Sequence, residues 1–198
     1  MNSNNLKTLL VIGVFVLLGM WSCGSYNGLV NEETNVELTW SNVEVQYQNR
    51  ADKIVEIAQS IKAEGKFEKS TLTEIIDARS SVGQTKLDVN QLTDEKLAQY
   101  EKAQQSAFSR MMVVFERYPE LKTTESYKQL NDEISEAENR IATARKDYNA
   151  SIKAYNLKVR RFPGNLMANL FGFERKSSFA AEQGAEKRVD VSEALGEE

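Results

Sequence analysis

An uninterrupted apolar run near the start of the chain predicts a helix that crosses a membrane. Residues 9–21 carry no charge, and the same stretch extended to Leu6 and Tyr26 carries only Lys7. Because an α-helix rises about 1.5 Å per residue, the extended stretch is as long as the ~30 Å hydrocarbon core of a bilayer is thick. We therefore expect residues 1–27 to form an N-terminal membrane anchor.

The anchor has two interpretations. If the helix is retained, Trp21 and Tyr26 lie at the level of the lipid headgroups, where amphipathic aromatic side chains are enriched. If the run is instead a lipoprotein signal, lipidation falls on Cys23, which the small residue Ser22 precedes. Met20 and Trp21 stand where such signals usually have leucine and a small residue. We favour the retained helix and keep lipidation of Cys23 as the alternative.

The charges that flank the run predict its orientation. Lys7 and the amino terminus precede the run, and the first cation after it is Arg50. Because positive charge is enriched on the cytoplasmic side of membrane helices, we expect the N-terminus inside and the remaining chain outside the cytoplasmic face.

Beyond the anchor, apolar residues recur every three or four positions, which is typical of one face of a helix. A first stripe begins at Val36 and is broken by Gly65. A second, shorter one occupies residues 67–82 and runs through Phe67, Leu72, Ile75, Ile76, Arg79 and Val82. Residues 83–91 contain Gly, Thr, Asp and Asn, and we interpret them as a loop. The first stripe consists of Val36, Trp40, Val43, Tyr47, Ala51, Ile54, Ala58 and Ile61.

Two further helices follow. Thr93 is a suitable N-cap for the third helix, and Pro119 ends it, because a proline disfavours the helical conformation of the residue before it. The fourth helix is expected to start near Thr124 or Ser126 and to end at Pro163. Its stripe consists of Tyr127, Leu130, Ile134, Ala137, Ile141, Ala144, Tyr148, Ile152, Tyr155, Val159 and Phe162.

These stripes predict an all-α fold, an antiparallel bundle of about four helices with two long helices, over residues 28–180. A helix of some 36 residues is about 54 Å long, and only the first helix is long enough to cover its apolar stripe. Four complementary stripes in one chain favour this intramolecular bundle over a coiled-coil oligomer, although the oligomeric state stays open. Residues 181–198 are polar and acidic, and we expect a disordered tail.

Composition narrows the functional classes. The net charge of −4 and the pI of about 5.2, with no obvious basic face, argue against a nucleic-acid partner. There is no histidine, the commonest general base, and the single cysteine, Cys23, lies in the anchor, where it is misplaced for a nucleophile.

The ionisable residues beside the stripes are interpreted structurally. We expect these residues to form ion pairs between helices or to lay the aliphatic part of their side chains over the core. They are Arg50, Asp52, Arg79, Arg140 and Arg145. The acidic residues Glu133, Glu136 and Glu138 are expected on a solvated face, with Glu136 paired to Arg140, because a di-iron site of the bundle type requires Glu-x-x-His. Four tyrosines, at positions 47, 100, 148 and 155, are expected in the core with hydroxyls at its rim. No catalytic, cofactor-binding or metal-ligating residue is predicted.

Eight segments of the chain carry a further signal: Tyr26–Val30, Trp40–Asp52, Ile76–Ser80, Arg117–Lys122, Glu138–Ala142, Arg145–Asn149, Arg161–Pro163 and Phe171–Phe173. Together they resemble the LemA family of bacterial membrane proteins. They occur in the family's order and cover most of the chain from Tyr26 to about Phe179. The resemblance implies a membrane helix, an all-helical bundle and no established activity. After Asp52 the chain reads Lys-Ile-Val-Glu where the family usually has an apolar-Pro-Asn stretch, so no role of that stretch carries over.

Two functional hypotheses follow. The first is a non-enzymatic interaction or scaffold protein, anchored in the membrane of the bacterial envelope, that holds an unidentified protein partner. The second is an enzyme or small-ligand sensor with an unrecognised site, for which a closed polar pocket would be the distinguishing feature. The apolar segment 162–173 is expected near the membrane, where it caps the end of the bundle core. A sharper hypothesis is that Phe171 and Phe173 also touch lipid or the exit of the membrane helix.

Overall fold

The computed structural model describes residues 3–65, 68–82, 87–88 and 92–179. Its elements confirm the predicted all-α class, and none of the described residues lies in a strand. The predicted loop over 83–91 lies mostly, and the predicted tail over 181–198 wholly, outside the described residues. The helices are α1 (Ser3–Ala63), α2 (Lys69–Ser80), α3 (Asp94–Glu116), α4 (Glu125–Arg160) and α5 (Gly164–Phe171), with a 3₁₀ turn at Pro119–Thr123.

Helix α1 joins the apolar run to the bundle without a break. Its 61 residues correspond to a length of about 92 Å. Along the apolar run the large side chains that the structure describes are exposed, Phe15 to 69% and Met20 to 70%, whereas Leu29 is completely buried. The predicted boundary between residues 27 and 28 therefore lies inside a continuous helix. By length and composition, α1 is the one described helix that could span a membrane.

The two long helices pack along each other, as the stripes predicted. Helices α1 and α4 form the most extensive helix pair, and α2 and α3 pack beside them. Trp40 of α1 lies at the centre, with its ring centroid 5.1 Å from that of Tyr100 in α3 and 5.4 Å from that of Tyr148 in α4. All eight residues of the first predicted stripe are buried, because a continuous apolar face on each long helix leaves only one way to cover both.

Local sequence signals predicted the starts of α3 and α4 correctly, but they assigned one exposed residue of α2 to the core. The Thr93 and Thr124 hydroxyls each accept a hydrogen bond, at 3.3 Å, from a backbone N–H in the first turn of α3 and of α4. Helix α2 is shorter than the predicted stripe, and Ile76, assigned to that stripe, is 42% exposed. Its neighbour Ile75, assigned to the same stripe, is buried as predicted.

The chain turns sharply after α4, and the predicted end of the fourth stripe is therefore wrong. Phe162 was predicted as the last core position but is 74% exposed, because Arg161 adopts an extended conformation and ends the helix. Helix α5 then starts against α4, where a Cβ on Gly164 would lie 2.3 Å from the carbonyl oxygen of Lys158, so only glycine fits. In α5 only Ala168 is buried, so the expectation that residues 162–173 cap the core is wrong for most of them.

Candidate functional site

The charged residues singled out in the sequence form the expected ion pairs. Three pairs connect helices: Arg79 of α2 with Asp52 of α1, Arg50 of α1 with Glu138 of α4, and Arg145 of α4 with Glu101 of α3. Arg140 pairs with Glu136 one turn earlier on α4, as predicted. These side chains therefore have structural partners.

Arg50 differs from the other arginines because its side chain is buried. Its guanidinium carbon lies 4.3 Å from the ring centroid of Phe108 and 5.3 Å from that of Tyr47, and the residue is 4% exposed. Stacking on aromatic faces compensates a guanidinium for part of its lost hydration. Sequence reasoning predicted the ion pair but missed this aromatic environment, because Phe108 lies on α3, far away in sequence.

The four tyrosines at positions 47, 100, 148 and 155 are buried, as predicted. Burial raises the pKa of each of the four above the ordinary value of tyrosine, so all four are neutral at physiological pH. The expected position of the hydroxyls at the rim is wrong for Tyr155, whose hydroxyl is buried without a hydrogen-bond partner among the described residues. These tyrosines fill the core.

A segment that the sequence analysis did not single out closes one side of the bundle. Residues 173–179, which we call the strap, run without helical structure along α4. Two asparagine side chains of α4 bind the strap backbone. Asn156 donates to the carbonyl oxygen of Lys176 at 2.8 Å and accepts from its N–H at 3.0 Å. Asn149 makes the same pair of bonds with Phe179, at 3.1 and 2.9 Å.

The spacing of these contacts has a simple geometric basis. Asn149 and Asn156 are seven residues apart, which is about 10.5 Å along a helix. Lys176 and Phe179 are three residues apart, which is about 10 Å along an extended chain. Two turns of helix therefore match three strap residues. The dipeptide Tyr-Asn occurs at both 148–149 and 155–156, and this repeat is the signal in the sequence that was missed.

The strap also contributes side chains to the core. Phe179 stacks on Trp40 with the ring centroids 6.0 Å apart, and the guanidinium carbon of Arg145 lies 4.5 Å from the Phe179 ring centroid. Lys176 is buried and pairs with Glu33 of α1 at 2.9 Å. The strap thus belongs to the folded bundle.

A polar groove between the two long helices, which we call the α1–α4 groove, is open to solvent. It comprises two adjoining depressions of about 440 and 400 Å³ that share Gln46, Glu136 and Arg140. It presents carboxylates, amides and cations on one surface. In the part of the chain that the structure describes, no group of three or more potential metal-ligating side chains comes together. The groove is lined by Asn42, Gln46, Asn49, Asp52, Lys53, Glu56, Glu133, Glu136, Ala137, Asn139, Arg140, Thr143, Ala144 and Asp147.

A helical bundle continuous with an apolar N-terminal helix defines a class of membrane-associated bundle proteins. Within that class, the chain belongs to the LemA family, whose sequence model matches residues 39–192. This match confirms the resemblance seen in the sequence.

Named relatives agree with the family. The chain is 26% identical over 186 residues to "Protein LemA" of Metamycoplasma hominis, which covers 93% of this chain and 81% of that protein. It is also similar to "Magnetosome protein MamQ 2" of Paramagnetospirillum magneticum, with 39% identity over 74 residues. This second match spans 37% of the chain but only 27% of the magnetosome protein.

Proposed function

We propose that this protein is a membrane-anchored, non-enzymatic interaction protein that holds a protein partner at a set distance from the bilayer. The observation that carries the proposal is the continuity of α1, which joins the membrane segment to the bundle in a single helix. From Trp21, the groove residues Asn42 and Glu56 lie about 30 Å and about 50 Å along the helix axis. A partner bound in the α1–α4 groove would be held at that height.

The character of the groove supports a binding role over a catalytic one. A catalytic site usually excludes water around converging ionisable groups, whereas the α1–α4 groove is open to solvent along its length. Both cations that line it are already paired, Arg140 with Glu136 and Lys53 with Glu56. Mixed charges on an exposed surface favour specificity of protein contacts more than affinity.

Site-specific photo-crosslinking in native membranes tests the proposal. We expect p-benzoylphenylalanine at Asn49 or Asn139, both exposed in the groove, to give the same discrete cross-linked product. The matched control is the same probe at Gln105, which is exposed on α3 and should not give that product. Reversing the groove charge with Glu133→Lys and Glu136→Lys should abolish the product. An identical pattern from position 105, or no product from either groove position, would contradict the proposal.

The form of the anchor makes a separate prediction. We infer an uncleaved helix with the N-terminus inside, supported by Lys7 and by the mismatched residues before Cys23, which is exposed on α1. Globomycin treatment and the substitution Cys23→Ala should both leave gel mobility and membrane retention unchanged. Incorporation of a lipid label that Cys23→Ala removes, or release of that variant from the membrane, would establish the lipoprotein alternative.

A further inference from the structure

The membrane-proximal end of the bundle exposes an unusual number of large apolar side chains. Phe162 is 74% exposed and Leu170 71%, and Leu166 and Phe171 are about half exposed. They lie on the turn after α4 and on α5, a helix with a single buried residue, Ala168. A concentration of exposed large apolar side chains on one short stretch of chain is typical of a binding surface.

These side chains lie where α1 leaves its apolar run. The ring centroid of Phe162 is 5.8 Å from that of Trp21, and the ring centroid of Phe171 is 4.8 Å from that of Tyr26. Trp21 follows directly on the exposed apolar residues of α1 and is of the type that settles among lipid headgroups. The exposed apolar side chains therefore adjoin the apolar run of α1 at the two aromatic residues expected among the lipid headgroups.

The stretch of sequence that carries these side chains is positively charged, although the chain as a whole is negative. Between residues 157 and 179 the sequence contains five cations and one carboxylate, Glu174. Of the cations, Lys158 pairs with Glu32 and Lys176 with Glu33. Arg160, Arg161 and Arg175 are exposed and none of them forms an ion pair with a described acidic side chain.

We propose that this end of the bundle binds the surface of an anionic bilayer. The basal patch consists of Phe162, Leu166, Leu170 and Phe171 with Arg160, Arg161 and Arg175. Its apolar side chains enter the boundary between headgroups and acyl chains, and its arginines bind lipid phosphates as bidentate donors. Only the membrane anchoring of α1 is taken from the proposed function. The consequence is that the bundle stands on the bilayer at a defined angle instead of swinging about α1.

A depth measurement on the reconstituted full chain tests this inference. With Cys23 replaced by serine, a nitroxide is placed at Asn169→Cys, which is exposed on α5 but outside the basal patch. The matched control is Gln129→Cys, exposed near the opposite end of α4. In vesicles of phosphatidylcholine and phosphatidylglycerol, position 169 should be reached by oxygen in preference to a water-soluble nickel chelate, at a depth of about 5–10 Å. The label at position 129 should be reached by the nickel chelate in preference to oxygen.

Two sets of variants separate the apolar and the electrostatic contributions to membrane binding by the basal patch. Phe162→Ser with Phe171→Ser should return position 169 to the aqueous phase. Arg160→Gln with Arg161→Gln should reduce its depth in vesicles with phosphatidylglycerol and have little effect in phosphatidylcholine alone. Because all four side chains are exposed, the helical circular dichroism spectrum should be unchanged.

The outcomes are decisive in both directions. A label at position 169 that is as accessible to the nickel chelate as the label at 129 overturns the inference. So does a depth that is independent of phosphatidylglycerol and of the two arginines. Dipolar broadening at 169 without oxygen access would assign the patch to a second copy of the chain. Since α1 keeps every variant in the membrane, any of these results leaves the groove cross-linking, and with it the proposed function, unaffected.

Discussion

The substitution Ile141→Asp should unfold the bundle or lower its free energy of unfolding by about 4 kcal/mol or more. Ile141 is 3% exposed at the middle of α4, and a buried carboxylate without a dedicated partner loses its hydration without compensation. The measurement is urea denaturation of the detergent-solubilised chain, followed by circular dichroism.

Two further variants make the result specific. Arg50 reaches α4 one turn away, at Glu138, so Ile141→Asn is included because it offers no charge for an arginine to neutralise. It should still destabilise the bundle by about 2 kcal/mol or more. Glu133→Ala, on the groove side of the same helix, should change stability by no more than about 0.5 kcal/mol. Similar small effects for all three substitutions would mean that the core face of α4 is assigned wrongly.

Removing the two asparagines that hold the strap should have the next largest effect. In Asn149→Ala with Asn156→Ala, the backbone groups of Lys176 and Phe179 lose four hydrogen bonds. Each buried polar group left unpaired costs about 1–3 kcal/mol, unless the strap detaches to reach water. Detachment would withdraw Phe179 from Trp40 and open the core. We expect a loss of about 2–5 kcal/mol and a change in tryptophan fluorescence.

Limited proteolysis provides a second readout for the strap. In the double variant, cleavage between residues 173 and 179 should become faster than in the wild-type chain, because an attached extended segment cannot enter a protease site. Asn139→Ala is the matched control, since Asn139 is exposed on the same helix and does not contact the strap. If the double variant resembles this control in stability and in cleavage, the asparagines do not hold the strap.

The core could be predicted from the sequence wherever its signal is periodic and local. The stripe on α1 and the caps at Thr93 and Thr124 were correct, because a helix repeats its contacts every three or four residues and a cap acts within one turn. The prediction failed where periodicity continued past a break in the backbone. Phe162 keeps the spacing of the α4 stripe, but Arg161 has already left the helix, so the side chain points elsewhere.

The candidate surfaces were harder to predict because they depend on distant parts of the chain. The pairing of Arg140 with Glu136 is a local i,i+4 contact and was predicted. The stacking of Arg50 on Phe108 and the binding of Lys176 and Phe179 by two asparagines join residues that are 20 or more positions apart. The excess of cations in residues 157–179 is visible in the sequence, but the negative net charge of the whole chain conceals it.

The sequence by itself determined the apolar run, the number of bundle helices, the pairing of the two longest and the membership of the LemA family, since these depend on composition and on the helical repeat. Only the tertiary structure decided that α1 is continuous, that the strap belongs to the core, and that α5 turns its apolar face outward beside Trp21 and Tyr26. The physical reason is that burial is a property of neighbours. An apolar residue becomes buried only if another element is present to cover it. At the membrane-proximal end of this bundle, α5 has no described protein element over its outer face.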